Sequence, residues 1–142
     1  MRHVCMLALA MLTFSFCTHK TNTMKTSDLE NTFWNLTELE GLANVPAEML
    51  RKPAFIRFAE SNRLSFSAGC NNMMGTYKVE EGKFDIQTGP STMMACPEPL
   101  MALESAYAKA LAEVDGYHIK GDKLTLRKGD ATLVSFTKGT EQ

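Results

Sequence analysis

Arg63-Leu64-Ser65-Phe66-Ser67-Ala68-Gly69-Cys70-Asn71-Asn72-Met73-Met74-Gly75 is the stretch that decides the fold. Its first eight residues alternate: Leu64, Phe66, Ala68 and Cys70 share one face, and Arg63, Ser65, Ser67 and Gly69 share the other. A period of two marks a strand with one buried face, so Cys70 is expected inside. Gly69 and Gly75 then bracket Asn71 and Asn72, residues that tolerate left-handed backbone and bond back onto local amides. A tight, specific loop between two strands is the reading.

Working outward, further short strands appear. Thr32 to Leu39 is rich in aromatic and β-branched residues, with Trp34 as the expected core anchor. Ala54 to Phe58 places Ile56 and Phe58 on one face, and Glu60-Ser61-Asn62 has the length of a hairpin turn. A short helical turn is expected at Ala47 to Leu50. After the loop, Tyr77 and Val79 lie on a strand, Glu80 to Lys83 turn, and Phe84 to Gln87 extend until Gly89-Pro90 is expected to break the run. Ser91 to Cys96 follows as an irregular or extended segment. Pro97 and Pro99 mark the start of the one long helix, whose apolar stripe is Leu100, Leu103, Tyr107, Leu111 and Val114, with Gly116 as its stop. Three more segments follow: one around Tyr117 and Ile119, one around Leu124 and Leu126, and one over Ala131 to Thr137 with Thr132, Val134 and Phe136 on one face. The tail from Lys138 to Gln142 is expected to fray. Short links force antiparallel neighbours, and a helix with one apolar stripe must lie on the sheet. The expected fold is α+β: a strongly curved antiparallel sheet, an incomplete barrel of seven or eight short strands, with one amphipathic helix packed on it.

The 142 residues, 44% of them hydrophobic, suffice for one domain with a real core. Lys and Arg nearly balance Asp and Glu at a net charge of -1, with no basic block, which argues against nucleic acid. The chain opens on a short polar patch, Arg2-His3, and an apolar run from Val4 to Phe16. That run has the length of a signal-peptide core and is too short to span a bilayer. Cys17 stands where the sequence turns polar, the position at which a bacterial lipoprotein is cut and acylated; Ser15 fits the small-residue requirement before it and bulky Phe16 does not. The organisation is residues 1–17 as signal peptide with lipid attachment at Cys17, 18–31 as flexible tether, and 32–138 as the folded domain. The expected location is the cell envelope, anchored in the outer membrane and facing the periplasm. The expected partners are the membrane, through the lipid, and an envelope protein or peptide; the chain is read as a monomer.

With Cys5 in the leader and Cys17 given to lipid, Cys70 and Cys96 remain in an exported, oxidising compartment. A bridge would close a loop of about 26 residues, worth on the order of 3–4 kcal/mol. The alternative is two separate thiols, each behaving as a small hydrophobe.

The run Ala68 to Tyr77, then Ser91-Thr92-Met93-Met94-Ala95-Cys96-Pro97, then Glu104, Tyr107 and Leu111, resembles the META domain of HslJ-type heat-shock lipoproteins. Trp34-Asn35-Leu36 and the segment Tyr117 to Leu126 agree, and the resemblance runs from about Asn31 to Thr137. It implies a small domain with a curved antiparallel sheet, an envelope location often with a lipid anchor, and links to heat shock, novobiocin tolerance or secretion and motility. The positions it marks are Gly69, Cys70, Asn71, Gly75, Thr92, Met94, Cys96 and Glu104. It implies no catalytic residues and no cofactor.

Three chemistries compete for these motifs. A cysteine nucleophile with His118 as base needs an exposed, electropositive thiol; Cys70 is on the buried face and His118 should point outward, so no catalytic residue is assigned and an enzyme is not expected. Soft ligation of Cu(I) by Met73, Met74, Met93, Met94 and the cysteines is opposed by strand geometry, because adjacent residues point to opposite faces; no metal site is assigned. The third is an apolar groove beside Met73, Met74 and Met93, adaptable enough for a peptide, an unfolded protein or a lipid. Chiefly because the META resemblance implies an envelope-stress context, a binding module in envelope or heat-shock stress is the expected function, with a soft-metal or small apolar ligand binder as the alternative. Glu38, Glu40, Glu80, Glu81 and Glu98 lack paired spacing and are read as solvated surface.

Overall fold

The computed structural model describes residues 26–40 and 42–140. Eight strands form one antiparallel sheet: β1 Thr32–Glu38, β2 Phe55–Ala59, β3 Arg63–Ser67, β4 Met73–Glu80, β5 Lys83–Ser91, β6 Gly116–Lys120, β7 Lys123–Lys128 and β8 Ala131–Gly139. Their spatial order is β5-β4-β3-β2-β1-β8-β7-β6, and the single helix α1 spans Glu98–Glu113. Every strand pairs with the next in sequence except β5 with β6, which α1 connects, and β1 pairs with β8 to join the two halves of the sheet; the tight links return the chain antiparallel. Between β4 and β5, Glu81 and Gly82 both adopt positive φ (51° and 76°), the turn whose twist matches a hairpin.

The sheet curls until its two edges meet at one end. The Phe84 N–H of β5 donates to the Asp115 carbonyl just before β6 at 3.1 Å, and the Phe84 and Tyr117 rings stand edge-to-face at 5.1 Å. The rest of the gap is filled by α1, which buries Leu100, Leu103, Tyr107 and Leu111 inside the curl. Tyr107 meets Phe66 of β3 edge-to-face at 5.3 Å, and its hydroxyl donates to the Phe55 carbonyl at 3.2 Å. Trp34, Ile56, Phe58, Leu64, Phe66, Leu124, Leu126, Val134 and Phe136 complete the core. The α+β incomplete barrel with one packed helix is the fold.

Four local expectations are corrected. Gly89-Pro90 does not break β5: the strand runs on to Ser91. β5 is an edge strand, where a missing N–H is tolerated, and a register shift opposite Met73–Gly75 absorbs the pair. Residues 26–31, assigned to the tether, are packed on the domain: Leu29 is fully buried, the Asn31 N–H donates to the Phe58 carbonyl at 3.0 Å, and Glu30 bridges to Phe58. The helix stops at Glu113 rather than at Gly116, because Val114 turns extended to bury its side chain and Gly116 opens β6. Thr132 is exposed while Val134 and Phe136 are buried, since a bulge between β7 and β8 at Leu133 reverses the alternation. The leader, Cys17 and residues 18–25 lie outside the described residues, as do residues 141–142 of the tail; Lys138 and Gly139 belong to β8. Among the described residues no helix is long and apolar enough to cross a membrane.

Candidate functional site

The loop between β3 and β4 is pinned from three sides, and Asn71 is the point where the pins converge. It is nearly fully buried. Its backbone N–H donates to Glu104 Oε1 on α1 at 2.5 Å, and its side-chain Nδ2 donates to Glu104 Oε2 at 2.8 Å. Its Oδ1 accepts from the Met94 N–H at 2.8 Å and from the Thr92 hydroxyl at 2.9 Å. Nδ2 also reaches the Met94 carbonyl at 3.3 Å. Asn72 adds a backbone pair with Thr92: its N–H donates to Thr92 Oγ1 at 3.0 Å, and its carbonyl accepts from the Thr92 N–H at 2.9 Å. Ser67 closes the loop on itself, donating to the Asn71 carbonyl at 2.7 Å and accepting from the Gly69 N–H at 3.0 Å. Cys70 and Cys96 form a disulfide, Cα atoms 6.6 Å apart, so a covalent link joins the same two segments.

The two glycines are required for different reasons, a close backbone at Gly75 and a left-handed φ at Gly69. A Cβ on Gly75 would strike the Gln87 carbonyl oxygen of β5. Gly69 has φ +113°, and a Cβ there would lie 2.5 Å from Leu50 Cδ2. Leu50 belongs to the connection between β1 and β2, which covers the loop from outside; the Arg51 N–H donates to the Gly69 carbonyl at 2.9 Å. Lys52 continues that cover, donating to Asn72 Oδ1 at 2.5 Å. Burial holds the Lys52 ammonium below its ordinary pKa, with the Glu104 carboxylate acting in the opposite direction. All eight positions marked at the sequence level, Gly69, Cys70, Asn71, Gly75, Thr92, Met94, Cys96 and Glu104, therefore lie in or beside one clasp. It joins β3–β4, the segment after β5 and helix α1.

Beside the clasp is a groove of about 450 Å³, walled by residues 91–95 and by Met101, Ser105 and Ala108 of α1, with Met73, Asn71 and Glu104 at its base. Met73 is buried, whereas Met93 is 96% exposed and Met94 and Met101 are partly exposed. Met74 is exposed but does not line the groove; it follows Met73 on β4 and points to the other face, so it is removed from the groove set. Met94 and Met101 join Met73 and Met93 instead. Met101 was missed because it lies off the helix's buried stripe, and its only sequence signal is a methionine one position after Leu100. A larger cavity of about 620 Å³ lies between β8 and residues 37–40 and 42–43, walled by Leu39, Leu42, Ala43 and Leu133 together with Thr37, Glu38, Glu40, Thr132 and Ser135. Its wall mixes the two carboxylates Glu38 and Glu40 with four apolar side chains, so it is less uniformly apolar than the groove beside the clasp.

Among the described residues no catalytic constellation assembles around Cys70 and Cys96. With both sulfurs in the bridge neither Cys70 nor Cys96 is a thiolate, and His118 is half-buried on β6. Glu40, Glu81 and Glu98 are exposed; Glu38 and Glu80 are exposed in pairs with Lys123 (3.6 Å) and Lys78 (3.8 Å). Among the described residues no group of three or more His, Cys, Asp or Glu side chains is placed to hold a metal ion.

The comparison with protein families matches the META domain over residues 27–141. The chain belongs to the META domain family. This META domain is similar to the NMR structure of a protein from Burkholderia xenovorans, at 26% identity, TM-score 0.64 and 99% coverage of both chains. A second NMR structure matches at 22% identity and TM-score 0.60, over 80% of this chain and 94% of that one. The crystal structure of a DUF4847 family protein from Bacteroides vulgatus ATCC 8482 matches at 13% identity and TM-score 0.57, over 82% of this chain and 98% of that one. At those identities the last two establish the fold alone. No curated protein matches the chain. The match begins at residue 27, in agreement with the buried Leu29.

Proposed function

We propose that this META domain is a non-enzymatic binding module of the cell envelope, serving in stress by holding an extended, apolar segment of an unfolded envelope protein. Cys17 carries the lipid that anchors it in the outer membrane, facing the periplasm. The observation that carries the reading is the groove: the clasp holds Met93 and Met94 out beside Met101, over a buried base, where a monomeric protein has no folding reason to place them. Methionine is unbranched and polarisable, so such a surface can fit many apolar side chains. The soft-metal alternative is weaker because the bridge removes both thiolates from the ligand set.

The test uses the full chain and a permanently unfolded client, fluorescein-labelled carboxymethylated α-lactalbumin, titrated by fluorescence anisotropy. Saturable binding is expected, weakened about tenfold or more when Met93, Met94 and Met101 are all changed to Gln, and kept in Met74→Gln. An unbound client, or equal binding by the triple variant, overturns the reading. The anchor is tested separately by metabolic palmitate labelling, which Cys17→Ala should abolish; label retained in that variant contradicts the assignment.

A further inference from the structure

We infer that Met93, Met94 and Met101 form a site of methionine oxidation, at which a peroxide converts the apolar rim of the groove into a polar one. In the described residues every exposed large hydrophobic side chain is a methionine: Met49, Met74, Met93, Met94 and Met101. Leucine would give the same apolar area, so the property these positions share beyond area is an oxidisable thioether. Apart from the two exposed thioethers outside the groove, Met49 and Met74, no fast-reacting group competes on the described surface. Cys70 and Cys96 are already oxidised to the disulfide, and Trp34, Tyr77, Tyr107 and Tyr117 are buried. Three of the five exposed thioethers line one groove, and two of those sit on the short segment that the Asn71 clasp fixes in place.

The step balances without any cofactor. A thioether sulfur lone pair attacks one peroxide oxygen; the S–O bond forms, the O–O bond breaks, and the departing hydroxide takes the remaining peroxide proton to leave as water. The sulfur loses two electrons and the peroxide gains them. A dithiol reductase of the methionine sulfoxide class reverses it, becoming a disulfide and releasing water. Each sulfoxide puts a strong dipole where the groove needs an apolar contact, while Met73, at the base and 7% exposed, keeps its thioether.

The consequence for client binding rests on the function proposed above; the modification itself does not. The full chain is treated with hydrogen peroxide under native conditions and followed by peptide mass spectrometry and hydrophobic-interaction chromatography. Met93 should oxidise at least about tenfold faster than Met73, with Met94 and Met101 between them, and methionine sulfoxide reductase with dithiol should restore the mass. Retention on the column should fall with the oxidation of these three, and Met93→Gln/Met94→Gln/Met101→Gln should reproduce the fall without peroxide. Oxidation of Met73 as fast as Met93, or retention unchanged once all three are sulfoxides, overturns the inference. Client binding is read on the same samples. An untreated protein that fails to bind overturns the functional reading, while the masses and retention judge the oxidation site by themselves.

Discussion

Glu104→Gln is the perturbation that isolates the clasp, because it keeps size and shape and removes one acceptor with the charge. Glu104 accepts two bonds from Asn71, one from the backbone and one from the side chain. A glutamine can satisfy only one of those donors; its own NH₂ then faces the other. Asn71 cannot turn its amide over to repair this, since its Oδ1 is already taken by the Met94 N–H and the Thr92 hydroxyl. A hydrogen bond to a charged acceptor contributes about 1.5–3 kcal/mol, and stranding a buried donor costs a similar amount. Glutamine recovers part of this because a buried carboxylate is costly to desolvate. The net expectation is a loss of about 2 kcal/mol, or a fall in Tm of roughly 6–12 °C for a domain of this size. Urea unfolding of the oxidised protein measures it. A cycle with Asn71→Ala, which removes the side-chain bond to Glu104 and keeps the backbone one, should show a coupling energy above about 1 kcal/mol. A variant within about 0.5 kcal/mol of the parent, with no coupling to Asn71, refutes the clasp as a source of stability.

Four further outcomes are expected. Replacing Cys70 and Cys96 by Ser should cost about 3.5 kcal/mol from the 26-residue separation, and dithiothreitol should lower the urea midpoint of the parent but not of the variant. Gly75→Ala should cost about 1–3 kcal/mol because its Cβ meets the Gln87 carbonyl, while Gly116→Ala, with nothing within 4 Å, should stay within about 0.5 kcal/mol; both are read by thermal unfolding. Leu29→Ala should cost about 2–5 kcal/mol, and an unchanged midpoint would place residues 26–31 back in the tether. Tyr77 is raised to about 12, first by burial and then by the Glu30 carboxylate, 3.3 Å from its hydroxyl. The unfolded chain therefore releases this proton near pH 10 and the folded one near 12, so the contribution is intact below pH 10 and is lost as pH rises through 12. Tyr77→Phe should flatten the stability profile over that window, and a parent whose stability is level from pH 10 to 12 would contradict it.

The strands were legible because a half-buried strand writes its exposure into every second residue: Leu64, Phe66 and Cys70, or Leu124 and Leu126. The helix was legible for the same reason at its own period. Pro90 misled because a proline breaks an interior strand but not an edge, and edge position is a property of the whole sheet. Leu29 was invisible because one apolar residue among Thr26, Ser27, Asp28, Glu30 and Asn31 has no period. The site was half legible. Asn71, Thr92 and Met94 stand in quotable motifs, but nothing in α1 distinguishes a buried Glu104 from a solvated one. It entered only through the META resemblance, and its partner came from the fold.

Hydrogen exchange at two backbone amides tests the central claim most directly. Asn71 and Met94 lie outside regular secondary structure, yet their N–H groups are held by Glu104 Oε1 and Asn71 Oδ1. If the clasp exists, both amides exchange as slowly as those of the neighbouring strands β3 and β4, and Glu104→Gln releases them. Exchange of both within the first seconds in the parent protein, as for a freely exposed loop, would contradict it.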